Sequence, residues 1–293
     1  MWENISVVLN AYRRTKYLSK QLQAIELQTI KPTEILLWHN AGEDIDPRLC
    51  RRVVVASCNH NLGVWARFAY ALNAKGDYIC LLDDDTIPGI RWFENCLRTM
   101  KTHEGLLGTR GVRFLAKGRY TPIEDVGWRF PNEQVERVDI VGHSWFFKRE
   151  WLSTFWRELP PDKHSLFVGE DMHFSYTLQK FLGLSTYVPP HPKSDLELWG
   201  SLPEFGNKFG QEGIAISMQP ETITRFNEAW KYYEARGFKL TLNALDRSRK
   251  AGFTIGSGVQ QNSKLRSILE PHPRIFKYAK AFRKFLTRIK VNI

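Results

Sequence analysis

Residues 76–93 read GDYICLLDDDTIPGIRWF, and this stretch decides the fold. Tyr78 to Leu82 is a short apolar run of strand length that ends on three successive carboxylates, Asp83, Asp84 and Asp85. Thr86, Pro88 and Gly89 break the strand, and Trp92, Phe93, Cys96, Leu97 and Met100 then recur at helical spacing. A strand this apolar is expected to be covered on both faces, as in the middle of a mostly parallel sheet. Ligand crevices of such sheets lie at the C-terminal ends of the strands, where the triplet falls. Adjacent carboxylates repel one another, so a cation is expected among them, and carboxylate oxygens suit Mg²⁺ and Mn²⁺. A solvated acidic turn with a helix-capping Asp is the plainer alternative that these residues alone leave open.

The whole composition bounds the reading. The 293 residues suffice for one large α/β domain, or for a domain with an appendage. At 43% hydrophobic and 13% aromatic the chain is far from a disordered composition. Its ten tryptophans suit sugar stacking as well as ordinary packing. Cys50, Cys58, Cys80 and Cys96 form no CxxC pair and read as reduced thiols, neither a disulfide framework nor a zinc site. The opening MWENISVVLNAYRR has no signal-like pattern, and no stretch approaches a membrane span. A cytoplasmic placement is therefore expected. The net charge of +11 is uneven: residues 264–293 hold nine Lys/Arg and one acid, a net +8 that leaves +3 on the rest. Nucleic acid is not an expected partner, because basic residues would then surround the central cleft.

In chain order, Ile5 to Leu9 reads as a strand ending at Asn10-Ala11-Tyr12. A helix through Tyr17, Leu18, Leu22, Ile25 and Leu27 follows. Glu34 to Trp38 is a second strand, ending at His39-Asn40, and Arg52 to Ala56 a third. A loop from Asn59 to Gly63 and a helix over 64–74 lead to the carboxylate strand. This alternation implies right-handed βαβ crossovers and a parallel sheet. Asn10 to Tyr12, His39-Asn40 and the triplet all fall at strand C-termini, so one crevice can gather them. Neither a Gly-rich dinucleotide fingerprint nor a phosphate-cradling GKS or GKT sequence is present.

Two segments, ISVVLNAYRRTKYLSKQLQAIELQTIKPTEILLWHNAG and NHNLGVWARFAYALNAKGDYICLLDDDTIP, resemble the GT-A-fold glycosyltransferases, most closely family 2. The resemblance spans residues 1 to about 200. It implies an α/β GT-A fold, a Rossmann-like, mostly parallel sheet flanked by helices, with a C-terminal helical extension. The expected organisation is a catalytic domain over 1–220, with a nucleotide-binding half (1–100) and an acceptor half (101–220). The expected activity is metal-dependent transfer from a nucleotide-sugar donor, UDP-linked, to a glycan or lipid-linked acceptor, with inversion. By resemblance, Asn10, Tyr12 and Asn40 border the base, Asp83 approaches the ribose and sugar, Asp84 belongs with them to the donor-binding set, and Asp85 with Asp83 holds Mn²⁺ or Mg²⁺. Many relatives carry Asp where this chain has Asn40, whose amide oxygen can still accept from uracil N3–H.

Residues 138–147, VDIVGHSWFF, resemble the family's strand beneath the donor sugar. Leu166 to Met172, LFVGEDM, carries the Glu-Asp pair of many inverting relatives. A sugar hydroxyl needs a base opposite the leaving nucleotide, and Asp171 is assigned that role, with Glu170 orienting its neighbours or the acceptor. Helix capping is the alternative for both. Glu124-Asp125 reads as structural or as part of an acceptor loop. His191, in VPPHP, is a third candidate metal ligand or a solvent-facing turn residue. Trp199-Gly200-Ser201 and Phe205-Gly206-Asn207 suit a loop folding over the donor. A retaining, exostosin-like transferase and a sugar nucleotidyltransferase share these motifs and remain alternatives.

Residues 221–293 read as a helical extension. A helix is expected over 221–238, then a linker at 254–258. Beyond it, Ile275, Phe276, Ala279, Phe282, Phe285, Leu286 and Ile289 form a helical stripe among basic residues. That pattern suits peripheral contact with an anionic membrane, or a helix docked on the catalytic domain.

Overall fold

The computed structural model describes residues 3–159, 167–205 and 221–242, and the apolar run of the carboxylate strand lies at its centre. Strands β1 (Ile5–Ala11), β2 (Glu34–Asn40), β3 (Val54–Cys58) and β4 (Tyr78–Leu82) are parallel, in the order β3-β2-β1-β4. Val7 of β1 pairs with Ile35 on one side and Cys80 on the other. Ile79, Cys80, Leu81 and Leu82 expose no surface, as a strand covered on both faces requires. Helices α1 (Leu18–Glu26), α2 (Pro47–Cys50), α3 (Ala66–Tyr70) and α4 (Trp92–Thr102) make the connections. Leu18, Leu22 and Ile25 give α1 one buried stripe at helical spacing. Asp46 caps α2 by accepting from the Arg48 amide, with Pro47 opening the helix.

The second half adds β5 (Gly105–Leu107), β6 (Arg110–Phe114), β7 (Ile123–Gly127), β8 (Glu136–Val138), β9 (Ile140–Gly142) and β10 (Ser144–Lys148). Then follow α5 (Leu152–Phe155), α6 (Glu170–Leu182), β11 (Ser185–Val188) and α7 (Thr222–Ala235). Among the described residues the main sheet has eight strands, continuing past β4 as β10-β5-β11-β8, and β7-β6-β9 forms a second sheet. The third strand lies two residues later than expected, at 54–58. Residues 138–147, expected as one strand, are three segments in two sheets. β8 pairs with β11, β9 with β6, and β10 with β4. Asp139 turns the chain by accepting from the Phe114 and Thr241 amides, and His143 turns it again in the left-handed region at φ 64.

Helix α7, which opens the expected extension at 221–293, packs against the second half of the chain. Trp230 and Tyr233 of α7 are buried with Phe114, Met172 and Tyr176, so α7 belongs to the same packed body as the sheets. Burying a side chain the size of Phe114 contributes about 1.5–3 kcal/mol. Trp199 to Ser201 are also buried and do not form a free flap. Trp199 O accepts from Gly89, Glu197 O from Arg91, and Ile87 O from Leu202, tying this segment to the turn before α4. A Cβ at Gly200 would stand 1.8 Å from the Thr109 hydroxyl, so only glycine fits there. All four cysteines are free thiols. No helix among the described residues is long and apolar enough to cross a membrane. The 206–207 part of the loop, the linker at 254–258 and the basic stripe of 264–293 lie outside the described residues.

Two buried glutamines aim the acidic turn. Gln21 Nε2 donates to the carbonyls of Asp83 (2.7 Å) and Thr86 (2.9 Å). Gln28 Nε2 donates to Gly89 O (2.7 Å), and its Oε1 accepts from the Phe93 amide (3.1 Å). Gln21→Leu keeps the volume and removes the donor, leaving two carbonyls short of a partner. Each lost partner costs about 1–3 kcal/mol where it is buried. Thermal denaturation should therefore fall by about 2–4 °C per kcal/mol. An unchanged melt would mean that these bonds do not hold the turn.

Candidate active site

The C-terminal ends of β1, β2 and β4 open into a cleft of about 840 Å³. Asn10 and Tyr12 line it from the end of β1, Asn40 from β2, and Asp83, Asp84 and Asp85 from β4. Across it stand Glu170 and Asp171, the first two residues of α6, whose start is set by Gly169 in the left-handed region at φ 83. Every sequence-assigned residue except His191 is thus brought to one cleft.

Two arginines organise the carboxylates. Arg67 of α3 is buried against the Trp145 ring and pairs with Asp83 through Nη1 and with Glu170 through Nη2 (2.9 Å). Arg14 pairs with Asp84 and, at 2.8 Å, with Asp85. Burial opposes ionisation of Asp83, yet Arg67 and other cationic groups hold it below the usual carboxylate range. Its neighbours move the other way. Burial, with Asp85 and Asp83 nearby, pushes Asp84 up to about 6. Burial, with Asp171 adjacent, pushes Glu170 up to about 7, and burial pushes Asp171 up to about 6. Asp83, Asp84, Asp85 and Glu170 are four carboxylates on two arginines, an excess of negative charge that a further cation would offset.

The donor set fits a divalent ion shared with substrate. Among the described residues, no three His, Cys, Asp or Glu side chains converge on one point, so the protein alone offers no closed cage. Mg²⁺ is commonly held by one or two carboxylates with phosphate oxygens completing the shell, and Asp85 with Asp83 offers such a pair. His191 is not part of it. The ring is buried, Nδ1 lies 2.8 Å from Pro189 O, and Nε2 accepts from the Gly200 amide at 3.2 Å. With both nitrogens engaged between Trp92 and Trp199, burial lowers its pKa to about 4. Asn40 also has internal work. Its Nδ2 donates to Asn61 Oδ1 (2.8 Å) and Gly63 O (3.2 Å), and its Oδ1 accepts from the Leu62 amide (2.9 Å). It shapes the loop before α3, which weakens the expected contact to a base.

Arg14, Arg67, Arg110, Trp128, Arg129 and His143 line the cleft without having been singled out from the sequence. The Glu221-Thr222 start of α7, with Arg225 and Phe226, lines it as well. Three neighbouring carboxylates do demand cations, and YRR and WARF are basic spots just past β1 and at α3, so Arg14 and Arg67 had a signal. His143 O accepts from the Asp83 amide (3.0 Å) and the Thr86 hydroxyl (2.9 Å), a tertiary contact with no local signature. Glu124 and Asp125 pair with Arg113 and Arg110 across β6 and β7, in keeping with a structural role.

A family model described as glycosyl transferase family 2 matches residues 6–159. Over 86 residues, 28% of this chain, the sequence is 40% identical to the uncharacterized glycosyltransferase YwdF of Bacillus subtilis (strain 168). That match spans 32% of the relative, so the chain covers about a third of its length. Among solved structures, TarS of S. aureus superposes with a TM-score of 0.47 at 15% identity, over 64% of this chain and 36% of that one. The mannosyltransferase PcManGT of Pyrobaculum calidifontis, solved in complex with GDP-Man and Mn²⁺, superposes with a TM-score of 0.45 at 18% identity. That superposition covers 86% of this chain and 80% of that one.

The two-sided pairing of Arg67 has a pH signature. Asp83, held below its ordinary value by Arg67, contributes stability that is present at neutral pH and lost as pH falls through its lowered pKa. Glu170, raised to about 7, contributes stability present at low pH and lost as pH rises through about 7, a loss that Arg67 moderates. Both make Arg67 worth more at high pH. Arg67→Met should cost about 3–5 kcal/mol at pH 8, the scale of leaving buried carboxylates uncompensated, and less at pH 5. Urea denaturation at the two pH values checks this; an equal loss at both would reduce Arg67 to a packing residue.

Proposed function

We propose that this chain, which belongs to glycosyl transferase family 2, moves a sugar from a nucleoside-diphosphate donor, UDP-linked, to a hydroxyl of a glycan or lipid-linked acceptor. The observation that carries this reading is the single cleft in which the β4 carboxylates and the Glu170-Asp171 pair are tied together through Arg67. A donor's diphosphate needs a cation and the attacking acceptor hydroxyl needs a base on the far side of the sugar; the triplet at one end of the Arg67 bridge and Asp171, next to Glu170 at the other, offer these. Asn10 and Tyr12 then border the nucleotide, and Asp83 and Asp84 meet its ribose and sugar.

Asp171 is the general base. It is half-buried at the cleft wall, and its pKa of about 6 leaves it ionised at neutral pH while keeping more basicity than an ordinary carboxylate. Its Oδ1 accepts from the Met172 amide at 2.7 Å, and the N-terminus of α6 favours its charged form. Glu170 is committed to Arg67, so it orients the clamp and leaves proton abstraction to Asp171. Asp85, with Asp83, would hold Mn²⁺ or Mg²⁺, which when bound offsets the charge of the departing diphosphate. Arg14 fixes Asp84 and Asp85 in position for that role. A base opposite the leaving group supports inversion.

Asp171→Asn keeps the size and the capping oxygen and removes the base. It is expected to lower kcat by about 10²-fold or more, with donor affinity little changed. In the unaltered protein kcat/KM should rise as pH rises through about 6, where Asp171 loses its proton. Turnover close to normal in the variant, with an intact melt, would leave Asp171 a helix cap only. Asp85→Ala should remove the metal-dependent part of donor binding in calorimetry while leaving the fold intact. Unchanged affinity would end the metal assignment. NMR of the first-formed product reads the anomer, and a retained configuration would overturn inversion.

A further inference from the structure

Aromatic rings line the cleft from both halves of the chain, and three of them are already covered. The Arg13 guanidinium carbon lies 4.9 Å from the Tyr12 centroid and that of Arg67 4.6 Å from Trp145. Trp128 carries Arg129 at 4.0 Å and the His143 ring at 4.4 Å. A cation on a ring face occupies the place where a ligand would stack. Phe167 and Phe226 differ. Both line the cleft, and among the described residues no cationic side chain lies over either ring. Phe167 is exposed. Phe226 is half-buried and stacks on the buried Tyr120 ring, the centroids 4.8 Å apart at 25°.

Both rings stand at the start of α6. Phe167 precedes Asp171 by four residues, and the Val168 carbonyl between them accepts from the Trp65 indole N–H at 3.2 Å. Phe226 arrives from α7. A Cβ built on Gly169 would lie 3.1 Å from Ala229 Cβ, so α7 crosses the chain at the residue that opens α6. Residues three apart share a helix face, which puts Phe226 one turn from that crossing, toward the end of α7 that lines the cleft. Met172, the residue after Asp171, is buried in the cluster against which Phe226 and Ala229 pack. Tyr120 beneath Phe226 is held to the same helix, its amide donating to Asn227 Oδ1 at 2.7 Å. Backbone and packing thus bring two uncovered aromatic rings to the residue assigned as the base.

We propose that Phe167 and Phe226 seat a pyranose ring of the acceptor beside Asp171, which makes the acceptor a glycan and not an open-chain polyol. The face of an aromatic ring is the negative part of its quadrupole, and the C–H bonds that cover one face of a β-pyranose are its complement. A sugar lying on these rings keeps its hydroxyls at its edge, where a carboxylate can reach one of them. This rests on the transferase reading of the cleft. It narrows that reading to one class of acceptor.

The test is a saturation-transfer NMR titration of the full chain, with UDP and Mg²⁺ at saturating concentration so that the donor end is filled. The probes are the methyl β-glycosides of glucose, galactose and N-acetylglucosamine, against ribitol, which has hydroxyls and no ring. At least one glycoside should bind about tenfold or more tightly than ribitol. Phe226→Leu keeps apolar bulk on Tyr120 and removes the aromatic face, and Phe167→Leu does the same at an exposed position where folding is little affected. Each should weaken the glycoside by about threefold or more, the scale of one lost ring contact, and leave ribitol unchanged. Phe226→Tyr should keep the preference. Ribitol binding as tightly as every glycoside would overturn the proposal, as would a preference that survives either Leu variant. So would a loss of UDP affinity by the same factor, because the rings would then support the cleft as a whole. Hydrolysis of UDP-sugars by the same preparation reports separately on the transferase reading, since probe binding needs no turnover.

Discussion

The pairing of Arg67 with Asp83 and Glu170 is the constraint on which the rest depends. One buried guanidinium joins the C-terminal end of β4 to the first turn of α6, and so joins the parallel strands of the first half of the chain to the half that carries Asp171. Such a bridge contributes little net stability, because taking three charges out of water offsets much of their attraction. Its consequence is geometric. With Arg67 against Trp145 and Phe68, the two carboxylates can occupy few positions relative to each other. The supports are equally buried: Gln21 and Gln28 below the acidic turn, and the His143 carbonyl beside it.

Burial and charge act together in the cleft. Four carboxylates, Asp83, Asp84, Asp85 and Glu170, stand against Arg14 and Arg67, and burial raises the pKa of Asp84 and Glu170 while Arg67 and other cationic groups hold Asp83 down. Arg110, paired with Asp125, lowers the pKa of Asp171 against the effect of its burial.

Much of the fold was legible because its signals are local. The apolar run of β4, the Pro88-Gly89 break and the βα alternation each follow from residue type and period. The triplet, Asn10, Tyr12, Glu170 and Asp171 were legible because strand C-termini and helix N-termini are predictable positions. Contacts made between distant segments were not. His191 looked available as a ligand, yet folding spends both its nitrogens on Pro189 and Gly200. Residues 138–147 have the composition of one strand, and only the tertiary demands of Asp139 and His143 split them. The packing of α7 was missed for the same reason: an amphipathic stripe shows that a helix will be covered, not by what.

A double-mutant cycle of Arg67→Met and Glu170→Gln, read in kcat/KM, tests the central claim most directly. If the Arg67 bridge positions the donor carboxylates and the base helix together, Glu170→Gln adds little once Arg67 is gone, and the pair shows a coupling of about 0.5–3 kcal/mol. If the two losses simply add, the halves of the cleft are positioned independently, and the account of this site is wrong.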